Sequence, residues 1–74
     1  MSDHALTIRA ATPRDTDALL RLAWLDNRPR LAGRALLAER GGVAIAALAL
    51  TSGSVLADPS YPTAAAVRAL RLRR

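Results

Sequence analysis

The spacing of apolar residues changes near residue 12. Residues 6–10 alternate, with Leu6, Ile8 and Ala10 separated by Thr7 and Arg9, and this period of two predicts a short β-strand. Residues 13–26 instead carry apolar residues three and four apart, which predicts an amphipathic helix. Its main apolar stripe comprises Ala18, Leu19, Leu22, Ala23 and Leu25. We expect this stripe to face a sheet.

The predicted helix begins with a recognisable capping pattern. Thr12 can serve as the N-cap, Pro13 fits the first helical position, and Asp15 follows the cap by three residues. Asp15 and Asp17 also place negative charge at the positive end of the helix dipole. Two nearby carboxylates could act as a catalytic pair, but capping explains both, so we interpret them as structural.

A second apolar edge of this helix consists of Leu20 and Trp24, which are four residues apart. The main stripe does not include them, so they need another element or a partner chain to cover them. By residue type, Trp24 is predicted to be a core residue. A role for Leu20 and Trp24 in an interface is the alternative.

The middle of the chain predicts a meander of three strands. Residues 26–33 form a loop, and strands are predicted over 35–39, 43–50 and 54–57. Gly41 and Gly42 can adopt the positive φ angles of a tight hairpin turn. Residues 43–50 are rich in alanine and could form a helix when taken alone. The glycines before this segment and the Thr-Ser-Gly after it favour a strand.

The chain ends in a second predicted helix. Thr63 is the predicted N-cap, the helix runs from residue 64 to the chain end, and Ala66, Val67 and Leu70 are expected to face inward. The predicted fold class is therefore α+β. It is a small antiparallel sheet of about four strands with two helices, in the order βαβββα.

The composition excludes several classes of site. The chain has 74 residues, no cysteine and one histidine, so disulfides, thiolate metal centres and histidine-rich sites are excluded. Few aromatic residues argue against an RNA module that reads bases by stacking. The sequence contains no glycine-rich phosphate motif. No catalytic, cofactor-binding or metal-binding residue is predicted.

The sequence does not predict a signal peptide or a membrane-spanning segment. The first residues include Asp3 and His4 and lack an apolar segment, so no signal peptide is expected. The longest apolar run, residues 43–50, is much shorter than the roughly 20 residues that cross a bilayer. We expect a cytoplasmic protein.

All basic residues of the chain are arginine, and the net charge is +5. The absence of lysine beside abundant alanine, leucine and arginine is typical of a GC-rich genome, and most of the arginines are scattered rather than clustered as in a binding face. The exception is a possible basic patch, Arg68, Arg71, Arg73 and Arg74. Cations suit the C-terminal end of a helix, so a dipole contribution is expected. Contact with phosphate or anionic lipid is the alternative.

Four further polar residues could carry acid–base chemistry, but each has a structural interpretation. His4 lies in a polar leading segment and is predicted to be exposed. Glu39 is predicted to be a solvated residue beside the hairpin turn. Asp58 precedes Pro59 and is predicted to form a turn. Tyr61 is predicted to pack its ring while its hydroxyl remains in water.

Residues 7–23, TIRAATPRDTDALLRLA, resemble the opening of an acyl-CoA N-acyltransferase of the GNAT superfamily. Members often begin with an Ile-Arg-x-Ala strand, a Thr-Pro-x-Asp helix start and an Ala-Leu-x-x-Leu stripe. Residues 35–50, ALLAERGGVAIAALAL, are similar to the hairpin that follows in the family. The resemblance covers residues 6–57, and it implies a single truncated domain over residues 1–74, the N-terminal half of a GNAT domain.

The chain departs from the family after the fourth predicted strand. There the family has a Gln/Arg-x-x-Gly-x-Gly/Ala loop whose amides bind the pyrophosphate of acetyl-CoA, whereas residues 57–63 read ADPSYPT. This segment has no glycine, two prolines without an amide hydrogen, and a carboxylate that repels phosphate. No catalytic or cofactor-binding residue can therefore be transferred from the family.

Three functional hypotheses follow. The first is a non-catalytic GNAT-like half domain that associates with itself, as a homodimer, or with another protein. The second is a minimal N-acetyltransferase that uses acetyl-CoA and completes its site by dimerising. The third is a basic accessory protein that binds nucleic acid or an anionic membrane through Arg68, Arg71, Arg73 and Arg74. Under the first hypothesis neither nucleic acid nor membrane is an expected partner.

Overall fold

The computed structural model describes residues 5–74, and His4 therefore lies outside the described residues. The strands are β1 (Leu6–Ala10), β2 (Ala35–Arg40), β3 (Val43–Ala49) and β4 (Val55–Ala57), and the helices are α1 (Thr16–Leu25) and α2 (Ala64–Arg73). They form one antiparallel sheet in the order β1-β2-β3-β4. The predicted α+β class and the order βαβββα are confirmed.

The capping pattern before α1 is confirmed in a modified form. The Thr12 hydroxyl accepts a hydrogen bond from the amide of Arg14, and the Asp15 carboxylate accepts one from the amide of Thr12 at 2.7 Å. The predicted continuous helix begins instead as a 3₁₀ turn, Pro13–Asp15, before α1. Aspartate is one methylene shorter than the usual glutamate, and a tighter turn lets its carboxylate reach the cap.

Each face of the sheet is covered by one helix. Towards α1, the core consists of Leu22 and Ala23 of the helix against Leu37, Ala44, Ala47 and Leu56 of the strands. Towards α2, it consists of Ala66 and Leu70 against Ala38, Ile45, Ala46 and Leu48. Because β3 is buried on both faces, it is apolar throughout rather than alternating. The strand interpretation of residues 43–50 is therefore correct, except that the strand ends at Ala49.

A β-bulge in β3 adjusts the central core. Ala38 pairs with Ala46 and Glu39 pairs with Ala44, which leaves Ile45 as the additional residue on β3. As a result, Ile45 and Ala46 both belong to the core towards α2. The carbonyl of Ile45 accepts a hydrogen bond from the amide of Asp58 at 2.8 Å, which fixes the exit of the chain from β4.

The predictions for the hairpin turn and for the start of α2 are also confirmed. Gly41 and Gly42 adopt φ angles of 63° and 82° in the β2–β3 hairpin, as predicted. Thr63 occupies the N-cap position of α2, but its side chain makes no capping hydrogen bond. The predicted N-cap position is therefore confirmed, and the contact at this cap is made by the Thr63 carbonyl, which accepts the amide of Val67 at 2.9 Å.

Both α-helices have 10 residues, and no helix in the described part of the chain is long and apolar enough to cross a membrane.

Leu22 is the central side chain of the core beneath α1, since its exposed fraction is 0% and it contacts the middle of the sheet. We expect Leu22→Ala to lower the free energy of unfolding by about 2–5 kcal/mol, because it removes buried methyl groups and leaves a cavity. Urea unfolding followed by circular dichroism measures this loss. Leu72→Ala is the matched control, because Leu72 lies on α2 and is 79% exposed. A Leu22→Ala variant as stable as the control would contradict the assigned core.

Candidate interaction surface

The outer side of α1 exposes a large apolar side chain. Trp24 is 80% exposed and Leu20 is 40% exposed, and we call this pair the α1 stripe. The prediction that Trp24 is a core residue is wrong, because Leu22 and Ala23 already fill the sheet-facing side of the helix. Trp24 follows Ala23 by one residue, which turns it about 100° away from the core.

The loop after α1 borders this stripe with cations. One shallow depression is lined by Trp24, Arg28 and Pro29 among others, and a second lies between Leu20 and Arg30. Both arginines are exposed. The α1 stripe is therefore an apolar surface beside a positively charged loop.

The second surface of interest is the free edge of β4. The amide of Ala49 bonds to the carbonyl of Ser54, and the amide of Asp58 bonds to Ile45, so these residues face β3. By alternation, the amides and carbonyls of Val55 and Ala57 point away from the sheet. The Ala57 amide is occupied, because it donates to Asp26 Oδ2 at 3.1 Å. The edge that the sequence leaves open is thus partly closed by a carboxylate from the end of α1.

A cleft of about 230 Å³ runs along this edge, between β4 and the loop that follows α1. Its lining combines apolar and polar groups: Arg28, Pro29, Arg30, Leu31, Ala32, Ser52, Ser54, Val55 and Leu56. Asp26 is the nearest carboxylate in sequence, and it lies 3.6 Å from Arg28 Nε. Two cations and two hydroxyls therefore line the cleft beside five apolar residues.

A cluster of three charged residues ties the sheet to the start of α1. Arg9 donates to both carboxylate oxygens of Asp15, at 2.8 and 2.9 Å, and to both of Glu39, at 3.0 and 3.2 Å. The Glu39 side chain is only 19% exposed, so the prediction of a solvated turn residue is wrong. Sequence reasoning did not find this cluster, and the available signal was that Arg9 and Glu39 occupy neighbouring strands.

Arg9 also sets the protonation state of this cluster. Its hydrogen bonds, followed by that from the Thr12 amide, hold the pKa of Asp15 well below its usual range. Hydrogen bonds to Asp15 and Glu39 raise the pKa of Arg9. An ionised carboxylate held by a cation neither donates nor readily takes a proton, so the cluster is suited to structure rather than to acid–base catalysis.

The loop before α2 keeps its own amides occupied. The Asp58 carboxylate accepts the amide of Ser60 at 2.8 Å, and its carbonyl accepts the amide of Tyr61 at 3.2 Å. Asp58 is therefore the turn-forming residue that was predicted, and it is buried, with 5% exposure. Tyr61 is 39% exposed. Two of the amides that could bind a pyrophosphate are thus already used within the loop.

The four arginines of the predicted basic patch make different contacts in the structure. Arg68, Arg71 and Arg73 are exposed on α2, whereas Arg74 turns back to the β3–β4 connection. The Arg74 guanidinium donates to the carbonyls of Leu50 and Thr51, at 3.1 and 3.0 Å. Arg74 therefore holds this turn in place, while it remains exposed like the other three arginines. Within residues 5–74, no group of three His, Cys, Asp or Glu residues could hold a metal ion.

Comparisons with protein-family models, with curated proteins and with solved structures found no match to this chain.

The lowered pKa of Asp15 predicts an acid-sensitive stability. Since the pKa is lower in the folded state than its ordinary value of 3.8, the contribution is present above about pH 4 and is lost as the pH falls below it. We therefore expect the unfolding free energy of the wild type to fall below pH 4, and Asp15→Asn to weaken that dependence while lowering stability at pH 7.

Chemical unfolding at a series of pH values between about 2 and 7 measures this effect. Asp17→Asn is the matched control, because Asp17 lies exposed in the first turn of α1. If Asp15→Asn kept the pH dependence of the wild type, the Arg9–Asp15 pair would not be the acid-sensitive contact.

Proposed function

We propose that this chain acts by association rather than by catalysis, as a GNAT-like half domain whose α1 stripe contacts a second copy of the chain. The observation that carries the proposal is the 80% exposure of Trp24 beside Leu20. Isolated exposed apolar residues are common, but tryptophan is enriched at interfaces. Two α1 stripes related by a two-fold axis would cover each other.

The energetics support a weak dimer. Trp24 and Leu20 are 80% and 40% exposed, so covering both contributes on the order of 2–4 kcal/mol per chain. Much of this is offset by the loss of translational and rotational entropy, and each chain carries a net charge of +5 that repels its copy. We therefore expect dissociation constants of about 10–100 µM, rising as the salt concentration falls.

The chemistry of the remaining polar groups favours association over catalysis. Asp15 and Glu39 are paired with Arg9, and Asp58 is buried within its own turn. The departure of residues 57–63 from the pyrophosphate loop of the family agrees with this. Association needs none of these groups.

Sedimentation velocity at tens of micromolar tests the proposal. Wild-type protein should contain dimer, and Trp24→Ala should shift the equilibrium to monomer by about tenfold or more. Leu72→Ala is the matched control, because Leu72 has nearly the same exposed fraction, 79%, on the other helix. Dimer formation should also increase from about 50 mM to about 500 mM NaCl, since salt screens the repulsion between like-charged chains.

Two results would contradict the proposal. If the wild type remains monomeric at tens of micromolar protein and at every salt concentration, the proposed self-association is refuted. Dissociation by Leu72→Ala, with Trp24→Ala unchanged, would move the contact from α1 to α2.

A further inference from the structure

We infer that the β4 edge and its arginine-rimmed cleft bind an acidic, extended segment of a partner protein, which adds to the sheet as a fifth strand. The inference rests on the proposed function in so far as both assign association to this chain. It adds a separate site with different chemistry. Three features of the edge carry it: its unused backbone groups, the shape of the cleft and the charge on the rim.

The backbone of β4 offers a short template for strand addition. The amide and carbonyl of Val55 point away from β3, as does the carbonyl of Ala57, by the alternation of the antiparallel ladder. The Ala57 amide is held by Asp26. An added strand would therefore be anchored at Val55, and Asp26 would limit how far pairing extends towards Asp58.

The cleft lies where alternate side chains of an added strand would point. Leu56 belongs to the core on the α1 side of the sheet, and it also lines the cleft. A residue opposite Leu56 would share that side and enter the cleft. There, Pro29 and Leu31 offer apolar contact for an aliphatic stem, and Ser52 and Ser54 also line the cleft.

The arginines that line the cleft favour a negatively charged side chain at this position of the added strand. Arg28 and Arg30 both line the cleft, and Arg30 has no hydrogen-bond or ion-pair partner among residues 5–74. A glutamate would lay its methylenes on the apolar lining and bring its carboxylate to these guanidinium groups. A lysine at the same position would meet the like charge of Arg30, since Arg28 already lies 3.6 Å from the Asp26 carboxylate. The complementary partner is therefore an acidic segment.

A second copy of this chain fits the edge poorly. Symmetric pairing of two β4 strands would bring both pairs of Arg28 and Arg30 to one interface, between molecules of charge +5. It would also require Asp26 to release the Ala57 amide in both copies. Arg28 and Arg30 also border the α1 stripe, so charge repulsion weakens both arrangements, but only symmetric β4 pairing would also break the bond between Asp26 and the Ala57 amide. The β4 edge is thus better matched to a different chain.

Fluorescence polarisation with a labelled, acetylated peptide of alternating glutamate and valine tests the inference. Peptides with glutamine or lysine in place of glutamate are the controls for charge. We expect the glutamate peptide to bind more tightly than the glutamine peptide by about fivefold or more, and the lysine peptide not to bind. Arg30→Gln should weaken binding of the glutamate peptide by about fivefold.

Val55→Pro tests strand addition itself. Proline removes the outward amide of Val55 and is tolerated on an edge strand, so we expect binding to weaken by about tenfold. Val55→Ala is its matched control, because it shortens the side chain but keeps the amide, and it should bind within about twofold of wild type. Circular dichroism establishes that Val55→Pro is folded, and Arg30→Gln provides a test that does not depend on the backbone.

The outcomes separate this inference from the proposed dimer. If the glutamate and glutamine peptides bind equally tightly, the inference that the partner segment is acidic is wrong. If Val55→Pro binds the peptide as tightly as the wild type does, the inference that the segment adds as a strand is wrong. Trp24→Ala should bind the peptide as the wild type does. Added salt should weaken peptide binding but strengthen the dimer. If the wild type is monomeric but binds the peptide, only the proposed dimer is refuted. If the wild type forms a dimer but does not bind the peptide, only the proposed site at the β4 edge is refuted.

Discussion

The structure depends on covering both faces of a small sheet with one short helix each. Every residue from Ala44 to Ala49 in β3 is buried, because this central strand lies between α1 and α2. Alanine is a poor strand former by propensity, but its small side chain lets a helix approach the sheet closely. The larger side chains Leu22 and Leu70 then fill the space on the two sides. The alanine bias of β3 is thus a packing requirement of a three-layer arrangement in a short chain.

The elements of this fold could be predicted because their signals are local. Pro13 and the Thr12–Asp15 cap mark the start of the first helix, and two consecutive glycines mark the hairpin. These signals act within a few residues, so no tertiary information is needed to interpret them. The N-cap position of Thr63 was predictable in the same way, whereas the hydrogen bonding of its hydroxyl depends on the detailed path of the loop before α2.

The candidate surfaces were less predictable, because exposure and pairing depend on contacts between distant segments. Periodicity placed Leu20 and Trp24 on a separate edge of the helix, but it could not say that no other element covers Trp24. The bond between Arg9 and Glu39 depends on the register of β1 against β2, which joins residues 30 apart in sequence. Arg74 likewise reaches the β3–β4 turn only because α2 crosses the sheet in that direction.

The distribution of satisfied and unsatisfied groups explains why the two candidate surfaces lie on the α1 side of the molecule. The Arg9 cluster uses its charges to join β1, β2 and the start of α1, and Arg74 uses its guanidinium to hold the β3–β4 turn. Groups engaged in this way have little remaining capacity to bind a partner. Within residues 5–74, the outward backbone of Val55, the guanidinium of Arg30 and the ring of Trp24 are not engaged in that manner. Since the proposed contact at the α1 stripe brings like charges together and the proposed contact at the cleft joins opposite charges, we expect ionic strength to act on the two in opposite directions.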